Sequence, residues 1–485
     1  MQNIPNSLYQ SLAEELRGAI SDGRLPAGSR LPSVRETAHS RSLSINTVLA
    51  AYRQLEARGQ VEARPQSGYF VRSRLPSPPP PPLSSLSLRP VQAKSADAAV
   101  LDRITAVVVA QSNPDTIDLS LACPKSSDFY PGKALSRLVA DHARRKPELL
   151  TDYSLPPGPL LLRCEICRHA HDLGMTLAAE DIILTNGCME ALQLALRGVT
   201  QPGDTIALES PTYFNLISLA EHLGLRTIEV PTHPDQGMSL DALELLLSEK
   251  RVQAVVTMPS VHNPLGTSMP VAAKQRLATL AQTYRVPVIE DALYAELQYA
   301  TPLQPTVKSF DMDGWVIVCT SYTKVLAPGF RVGWMEAGRF QRRIAALKFS
   351  ASLAQPAFLG EVLGAYLETG GYVQHLRRLR RVYAAQVDRL RGLIDDAFPA
   401  GTRATEPSGG FLVWVELPEG CDGNRLCDDA LARGITITPG SLFSPSGRHS
   451  RHIRLSGCHH FSDRHIHALL TLGELAQGQI SVGES

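Results

Sequence analysis

The spacing of apolar residues in the first part of the chain predicts helices followed by a hairpin. Between 8 and 20, a leucine or isoleucine recurs every four residues, the period of one helix face. Two more helices are predicted where Ser33 can cap SVRETAHS and Ser44 can cap INTVLAAYRQLEARG. VEARPQSGYFV then reads as two extended segments around a Ser-Gly turn. Three helices and a hairpin predict a winged helix-turn-helix of the α+β class.

A proline-rich stretch interrupts this pattern and marks a boundary between domains. Residues 78–82 are five consecutive prolines within 75–90. Because proline cannot continue a helix and lacks a backbone donor, the stretch predicts an extended, semi-rigid spacer. We therefore assign residues 1–73 to a first domain, 74–100 to a linker and 101–480 to a second domain.

In the second domain, short apolar runs alternate with amphipathic helices. The runs are DIILTNG, TIALESP, AVVTMPS, VPVIEDA and WVIVCTSY, and CMEALQLALRG and VAAKQRLATLAQTY are examples of the helices. Buried strands joined by helical crossovers predict a mainly parallel α/β sheet in a large subdomain of about 115–350. A long Arg-rich helical stretch and the strands GGFLVWVEL and ITITPG predict a smaller α+β subdomain at about 351–480.

Charge is unevenly distributed along the 485 residues. The whole chain has a formal net charge of +1, with 44% hydrophobic and 20% charged residues, as expected of a globular multidomain protein. Within residues 1–75, ten arginines and no lysine stand against six acidic residues, a net charge of +4. A local basic excess of this kind suits contact with phosphates. Since no signal peptide or membrane-length apolar run is evident, we expect a cytoplasmic protein with no membrane partner.

Cysteine and histidine usage does not indicate a metal site or a disulfide framework. Eight cysteines in a chain of this length are too few for such a framework, and the CxxC pair Cys164 and Cys167 is expected to be two small residues on a helix. Six histidines near the C-terminus lack the spacing of metal ligands, so we expect them at the surface and predict no metal. They are His449, His452, His459, His460, His465 and His467.

The first domain has candidate DNA-binding residues on its second turn helix and its wing. The residues near the start of the helix opened by Ser44 should face the major groove, and arginines around them can meet phosphates. A merely solvated basic face is the alternative, but helix spacing, wing glycine and basic excess together favour DNA. The candidates are Arg30, Arg35, Ser44, Asn46, Thr47, Arg64 and Gly68.

These segments resemble a known family of winged helices. LYQSLAEELRGAISDGRLPAGSRLPSVRETA and SINTVLAAYRQLEARGQVEARPQSGYFV, within residues 8–71, resemble the GntR type. That family often has an arginine after the serine that opens the recognition helix, whereas this chain has Ile45. The resemblance implies binding to a double-stranded DNA operator whose sequence stays open.

Polar residues stand at the ends of predicted strands in the second domain, where open α/β sheets place their ligands. Lys324 follows WVIVCT, Asp291 and Tyr294 end VPVIEDALY, and Asn263 lies in VHNPLG. A lysine for an aldehyde, a carboxylate for a pyridinium nitrogen and two donors for a phenolic oxygen match the needs of pyridoxal 5'-phosphate. A lone lysine or aspartate would be an ordinary surface or turn residue, but their order and placement favour the cofactor.

Further residues could hold the cofactor's phosphate and ring. Gly187 and Cys188 begin a helix whose free N–H groups attract a phosphate. Ser321 and Arg331 flank the lysine and can contact the same group, while the Tyr213 ring can stack on the cofactor.

The second domain resembles fold-type I aminotransferases of class I over about 115–475. SYTKVLAPGFRVG is similar to the subgroup whose lysine motif ends in APG-hydrophobic-Arg. The resemblance implies that Lys324 is the catalytic lysine and that Arg454 in HIRLSG binds an amino-acid carboxylate, which a guanidinium fits in a bidentate manner. It also implies that Tyr153 reaches the phosphate in a partner subunit.

The order of winged helix, linker and aminotransferase-like domain resembles the MocR subfamily of GntR regulators. This implies a fold of a winged helix-turn-helix plus an α/β PLP-dependent transferase fold of type I with a smaller C-terminal α+β subdomain. It further implies a head-to-tail homodimer, with the winged helix of one subunit near the large domain of the other. The effector would be an amino acid, a small amine or a B6 vitamer, sensed by aldimine exchange at Lys324.

Two alternatives share the same residues. The chain could be a catalytically active aminotransferase with an accessory DNA-binding domain, since Lys324, Asp291, Tyr294 and Arg454 are all present. It could also be a vacant scaffold used for dimerisation, which the complete cofactor set disfavours. A DNA-binding domain has no use in a dedicated metabolic enzyme, so regulation with residual aminotransferase activity is the favoured interpretation.

Overall fold

The N-terminal domain is a winged helix-turn-helix, as the sequence predicts. The computed structural model describes residues 8–21, 24–26, 28–57, 60–64, 67–72, 75–79, 81, 87, 89–92, 105, 109–110, 113, 115–120, 122–124 and 129–483. Three helices, α1 (Leu8–Ser21), α2 (Val34–Ser40) and α3 (Ile45–Ala57), precede two strands, β1 (Val61–Arg64) and β2 (Gly68–Val71). The strands pair antiparallel and form the wing.

The core of this domain lies between α1 and α3. Leu12 and Leu16 of α1 are buried, but Leu8 in its first turn is 66% exposed, so the predicted apolar face does not extend to the helix start. Tyr52 of α3 is fully buried, and its hydroxyl donates to the Pro32 carbonyl at 2.8 Å. Since Pro32 lies just before α2, this bond ties α3 to the helix that precedes it.

The second domain contains fifteen further strands and eleven further helices among the described residues. The strands are β3 (Val91–Gln92), β4 (Ile117–Asp118), β5 (Ile182–Thr185), β6 (Thr205–Ser210), β7 (Arg226–His233), β8 (Gly237–Met238), β9 (Ala254–Thr257), β10 (Val288–Asp291), β11 (Val316–Ser321), β12 (Gly333–Glu336), β13 (Arg403–Ala404), β14 (Leu412–Glu416), β15 (Ile435–Thr436), β16 (Thr438–Pro439) and β17 (His452–Ser456). The helices are α4 (Gly132–Arg145), α5 (Leu160–Ala170), α6 (Cys188–Val199), α7 (Phe214–His222), α8 (Leu240–Ser248), α9 (Val271–Tyr284), α10 (Gln341–Ser352), α11 (Ala357–Glu368), α12 (Gly371–Ala397), α13 (Gly423–Leu431) and α14 (Asp463–Gly483).

The large subdomain is built on one mixed sheet. Its strand order is β3-β7-β6-β9-β10-β11-β12-β5, with β8 beside β7. Strands β7, β6, β9, β10 and β11 are parallel, and β12 is antiparallel to both of its neighbours. Helices cover the sheet, so strands such as β9 and β10 are buried along their whole length. The prediction of a mainly parallel α/β sheet is confirmed.

The small subdomain is an antiparallel sheet of order β13-β14-β17-β16 packed against α12 and α14. It also includes the parallel pair of β4 and β15, in which Ile117 is the partner of Ile435. The predicted bounds of the large subdomain, about 115–350, include residue 117. The pairing arises because Asp118 accepts a bond from the Thr436 hydroxyl at 2.9 Å, and Leu119 lies in the core of the small subdomain.

The described parts of the predicted spacer contact the second domain instead of standing free. Leu75 is buried in the core of the small subdomain, and the Ala404 N–H donates to the Pro76 carbonyl at 3.0 Å. Further along, Val91 pairs with Thr227 at the edge of the large sheet. The proline run 78–82 lies only partly within the described residues, so its predicted spacer role stays a prediction.

The histidine prediction is wrong for part of the C-terminal cluster. His449 and His452 pack against Trp414 with ring centroids 5.8 and 5.1 Å away. Burial lowers the pKa of His449 to about 4 and that of His452 to about 3, so both rings are neutral at pH 7. The sequence could not show this because the tryptophan lies on a different strand.

The cysteines of the chain form no disulfide bonds. All eight cysteines are free thiols, and Cys164 and Cys167 lie on α5. Within the described ranges, three or more His, Cys, Asp or Glu side chains nowhere gather in a way that could bind a metal ion. None of the described helices has both the length and the apolarity to cross a membrane.

Candidate functional site

The start of α3 presents the predicted major-groove residues. Ser44 caps the helix: its hydroxyl accepts the Thr47 N–H at 3.1 Å and lies 2.8 Å from the Thr47 hydroxyl. Ser44 and Asn46 are exposed, Thr47 is half-buried, and Ile45 is 53% exposed. Since the two hydroxyls bond to each other, Asn46 is the side chain in this group best placed to reach a base edge.

Basic residues converge on the wing. The Arg64 guanidinium lies 4.4 Å from the centre of the Phe70 ring and 2.6 Å from Glu62. Gly68 has a φ of +101°, and a Cβ there would lie 3.3 Å from Nε of Arg30. An exposed ion pair is worth little in water, so Arg64 can exchange its carboxylate for a phosphate. Arg35 is exposed on α2.

The second candidate site lies at one edge of the large sheet. Asp291 ends β10, Lys324 follows β11, Asn263 follows β9, and Tyr213 follows β6. Gly187 follows β5, which runs in the same direction as β11 because β12 is antiparallel to both. The carboxyl ends of these strands therefore lie at one edge, as predicted.

Asp291 is a buried carboxylate with one hydrogen-bonded oxygen. It is 3% exposed, and the same oxygen accepts the Leu293 N–H at 3.0 Å and lies 3.5 Å from the Cys188 thiol. Burial raises the pKa of Asp291 to about 6. A positive group beside it would lower that pKa again, so this position suits a protonated ring nitrogen. Tyr294, three residues on, is also buried.

An anion cradle lies at the start of α6. Gly187 caps the helix with a φ of 78°, and a Cβ there would lie 2.6 Å from Nη2 of Arg331. Arg331 donates to the Asn186 carbonyl at 3.4 Å and forms no ion pair with a described carboxylate. A guanidinium beside a helix N-terminus places two positive groups together, and this arrangement favours an anion between them.

Ser321 ends β11, and Lys324 lies in the loop that follows this strand. The Ser321 hydroxyl lies 2.6 Å from the Thr323 hydroxyl and accepts the Thr323 N–H at 3.1 Å. The sequence motifs predict no role for Thr323. Burial lowers the pKa of Lys324, which favours its neutral, nucleophilic amine.

Arg454 lies on β17 of the small subdomain, and its side chain reaches Asn263 at the site. It is 3% exposed and donates to Asn263 Oδ1 at 3.1 Å and to the Ser120 carbonyl at 2.7 Å. The Thr438 hydroxyl accepts a further bond at 3.2 Å. The Nε of Arg454 is buried and has no acceptor in the described part of the chain. No carboxylate bonds directly to Arg454 in these contacts, and Asp118 acts on it only electrostatically, so its guanidinium is suited to an anionic ligand.

Glu209 and His262 form a buried pair behind Asn263 that the sequence analysis missed. Glu209 Oε2 lies 3.2 Å from His262 Nε2, and Glu209 accepts the Met258 N–H at 2.7 Å. The pair fixes the loop that carries Asn263. A signal was available, since Glu209 is a charged residue inside the otherwise apolar run TIALESP.

Tyr153 is the one predicted cofactor residue that stands apart from the others. It is 78% exposed and lies in the segment between α4 and α5. Leu150, Leu155 and Leu160 around it are each at least 60% exposed.

Two family models match this chain, one in each domain. Residues 8–71 match bacterial regulatory proteins of the gntR family, and residues 127–468 match aminotransferases of class I and II. The second match covers more than half of the chain. The chain belongs to the MocR type of GntR regulators. It is a DNA-binding regulator whose N-terminal winged helix is fused to an aminotransferase-like domain.

Relatives of the MocR type match along their full length. The HTH-type transcriptional regulator YjiR of Escherichia coli (strain K12) is 34% identical over 469 residues, which cover 96% of this chain and 98% of YjiR. Aromatic-amino-acid aminotransferase 1 of Thermococcus litoralis is 32% identical over 339 residues, 68% of this chain and 80% of that enzyme. The regulators thus span both domains and the enzyme spans the second.

Solved structures agree on the fold of the second domain. The α-aminoadipate aminotransferase LysN of Thermus thermophilus, complexed with N-(5'-phosphopyridoxyl)-L-leucine, superposes with a TM-score of 0.72. It is 26% identical and covers 80% of this chain and 98% of LysN. The predicted fold-type I transferase domain is therefore confirmed for this MocR-type chain.

Proposed function

We propose that this chain is a transcription regulator that holds pyridoxal 5'-phosphate at Lys324 and changes its DNA binding when a small amine occupies the same pocket. The observation that carries the proposal is the set of unmatched cationic groups around Lys324. Arg331 and the α6 N-terminus share a position suited to an anion, and the buried Nε of Arg454 lacks an acceptor among the described residues.

The residues present fit the cofactor. Asp291 suits its pyridinium nitrogen, Asn263 and Tyr294 can donate to its phenolic oxygen, and the Gly187–Arg331 cradle suits its phosphate. When bound, pyridoxal phosphate supplies an aldehyde that can be held covalently by Lys324 or by the amine of an effector. Glycine at 187 supports this assignment, because any Cβ there would displace the Arg331 guanidinium from the cradle.

Arg454 gives the pocket its preference for an amino acid. Its Nη groups are already held by Asn263 on the large subdomain and by Ser120 and Thr438. A ligand whose carboxylate bonds to Arg454 and whose amine is held at Lys324 would therefore add a second link between the two subdomains. We propose that this link is how ligand binding changes their arrangement, which supplies the differential contact that a switch requires.

The segment that leaves the wing is placed to relay such a change. Arg72 follows β2 and lies 3.9 Å from Asp396 on α12. Leu75 is buried in the small subdomain, and Arg391 donates to its carbonyl at 3.3 Å. Because the base of the wing is tied to α12 at these points, movement of the small subdomain should move the winged helix with it.

A substitution at Leu75 tests the relay. Leu75→Asp should leave DNA binding without ligand within about twofold of wild type and remove its response to the effector, since a buried charge would release the segment. Leu245→Asp is the matched control, because Leu245 is 42% exposed on α8 of the large subdomain. DNA affinity with and without ligand would be measured by fluorescence anisotropy. A full response in Leu75→Asp would refute the relay.

The exposed apolar residues around Tyr153 support the proposed homodimer. Leu150, Tyr153, Leu155 and Leu160 lie within eleven positions and are each at least 60% exposed, which is unusual for a free surface. A head-to-tail arrangement would cover them and bring Tyr153 to the partner's cradle. Sedimentation analysis of Leu155→Glu checks this: we expect monomers, and an unchanged dimer would exclude this surface.

The central experiment compares wild type with Lys324→Ala. Wild type incubated with pyridoxal phosphate should gain a visible absorbance band that survives dialysis, and the variant should not. Both proteins should bind the same DNA fragment, recovered by genomic pull-down, but amino acids should alter binding only for wild type. A colourless wild type would refute the cofactor assignment, and ligand-insensitive DNA binding would refute the sensing role.

Active transamination is the second candidate function. The lowered pKa of Lys324 favours it, since a neutral amine can also act as a base. Sustained turnover of an amino acid and a keto acid at ordinary enzyme rates, without any DNA site in the pull-down, would favour the enzyme over the regulator.

A further inference from the structure

One buried hydroxyl beside the pocket has no hydrogen-bond partner among the described residues. Tyr383 on α12 is fully buried, with its ring stacked on Phe129 at 5.5 Å and packed against Phe411 at 4.9 Å. No group in the described part of the chain bonds to its Oη. A buried polar group left without a partner is costly, and nearly all such groups in folded proteins are satisfied. Its partner is therefore to be sought in a ligand.

Several contacts place this hydroxyl near Lys324. The Cys123 sulfur lies 3.9 Å from the carbonyl oxygen of Thr323, the residue before Lys324, and 3.5 Å from the Tyr130 hydroxyl. The Tyr383 ring stacks on Phe129, the residue before Tyr130, and packs against Phe411, whose ring lies 5.8 Å from that of Tyr294. Tyr383 is thus connected to the Lys324 loop through Phe129, Tyr130 and Cys123, and to Tyr294 through Phe411, so we place it beside the lysine pocket.

The chemistry of this wall is polar and uncharged. After burial, the groups with the largest effect on the Tyr383 hydroxyl are the thiols of Cys458 and Cys123 and the phenols of Tyr294 and Tyr299, which are all neutral groups. Burial raises the pKa of Tyr383 and of Tyr130 above the usual range, so both hydroxyls stay protonated. A charged side chain placed here would lose its hydration without gaining a counter-charge, whereas a neutral donor or acceptor would be satisfied.

We propose that the effector is a small α-amino acid with a neutral hydrogen-bonding side chain, a hydroxyl or a carboxamide, bound by Tyr383 with help from Tyr130. This inference rests on the proposed sensing function and names the ligand class of that pocket. Arg454 would bind the carboxylate and Tyr383 the end of the side chain, so the two groups together define which amino acids fit.

Pairs of amino acids with nearly equal shape test the proposal. L-Homoserine differs from L-norvaline, and L-asparagine from L-leucine, mainly by hydrogen-bonding atoms. Holoprotein would be titrated with each ligand while cofactor absorbance and binding heat are recorded. We expect the polar member of at least one pair to bind at least about tenfold tighter, because a pocket with an unmet hydroxyl discriminates against the analogue that cannot bond to it.

Tyr383→Phe should remove this preference. The affinity for the polar member should fall about 5- to 20-fold, as expected for one lost hydrogen bond to a buried group, and the affinity for the apolar member should stay within about twofold. Tyr372→Phe is the matched control on the same helix, since its hydroxyl bonds to Glu296 at 2.6 Å. That variant should lose thermal stability and keep the ligand preference.

The possible outcomes distinguish a failure of the Tyr383 inference from a failure of the proposed sensing function. Equal affinity for both members of both pairs in wild type, or an unchanged preference in Tyr383→Phe, would overturn the role of Tyr383 and leave sensing intact. An absence of both spectral change and heat with every amino acid would overturn the proposed sensing function itself. Tight binding of aspartate or lysine above all neutral ligands would also overturn the inference.

Discussion

Replacing Gly187 by alanine perturbs the proposed phosphate cradle by a single methyl group. The new Cβ would lie 2.6 Å from Arg331 Nη2, which is closer than Cβ atoms approach another atom in real structures, and 3.1 Å from its Cζ. The residue is the N-cap of α6, so the backbone has few ways to shift without moving the helix. The guanidinium must therefore leave its place, and we expect the protein to fold but to bind pyridoxal phosphate weakly.

The expected loss can be worked out from the contacts. A hydrogen bond to a charged group contributes about 1.5–3 kcal/mol. Displacing the guanidinium from the cradle should raise the cofactor Kd by about 10- to 150-fold, at about 1.4 kcal/mol per tenfold change. The positive φ of 78° adds a separate cost of about 1–3 kcal/mol to folding stability, because a side chain rarely adopts this conformation.

Gly203→Ala separates the two effects. Gly203 has a φ of +94° and nothing within 4 Å of its Cβ position, so the substitution brings backbone strain without displacing a side chain. Cofactor affinity would be measured by absorbance titration, and the free energy of unfolding by urea denaturation. Both variants should be destabilised, but only Gly187→Ala should lose cofactor affinity. The reasoning is refuted if Gly187→Ala binds as wild type does, or if Gly203→Ala loses as much affinity.

Three further predictions concern other parts of the chain. Arg454→Lys should weaken amino-acid effectors about 10- to 100-fold, because an ammonium cannot replace a bidentate guanidinium, while cofactor titrations stay unchanged; equal weakening of cofactor binding would contradict this. Burial raises the pKa of Asp291 to about 6, so its ionisation destabilises the cofactor-free fold as pH rises from about 4 through 6. Asp291→Asn should then raise the free energy of unfolding of that form by about 2–3 kcal/mol at about pH 8 and by little at about pH 4, which urea denaturation at both pH values checks; a gain that does not vary with pH would point elsewhere. Arg35→Ala should lower the magnitude of the slope of log affinity against log salt concentration by about one without changing sequence preference. Binding curves at several salt concentrations check the slope, and a changed sequence preference would show that Arg35 reads bases.

Much of the site could be predicted because its residues follow strands. Asp291, Lys324, Asn263, Tyr213 and Gly187 each come at or soon after the end of a predicted strand, and parallel strands end at the same edge of a sheet. The residue types then narrow the chemistry. The positions of strand ends do not predict residues whose role depends on a distant contact, such as Thr438 and Ser120 around Arg454.

The contacts of the linker cannot be predicted from its composition. Prolines predict an extended stretch, and the composition of residues 75–90 gives no sign that Leu75 is buried in another subdomain. Likewise, β4 joins the small subdomain through a pairing with residues about 318 positions away in the chain. Contacts of this range follow from how the two subdomains pack, which no local pattern encodes.

The sequence by itself determined the order of domains, the mainly parallel sheet, the winged helix and the lysine with its surrounding polar residues. These features follow from local periodicity, turn residues and motif spacing, which act over short stretches of chain. Only the tertiary structure decided that Arg331 faces Gly187, that Arg454 spans two subdomains, and that the Tyr383 hydroxyl is buried without a partner among the described residues. Each of these depends on side chains from separate elements meeting in a shared interior, where burial and exclusion of water set what the pocket can bind.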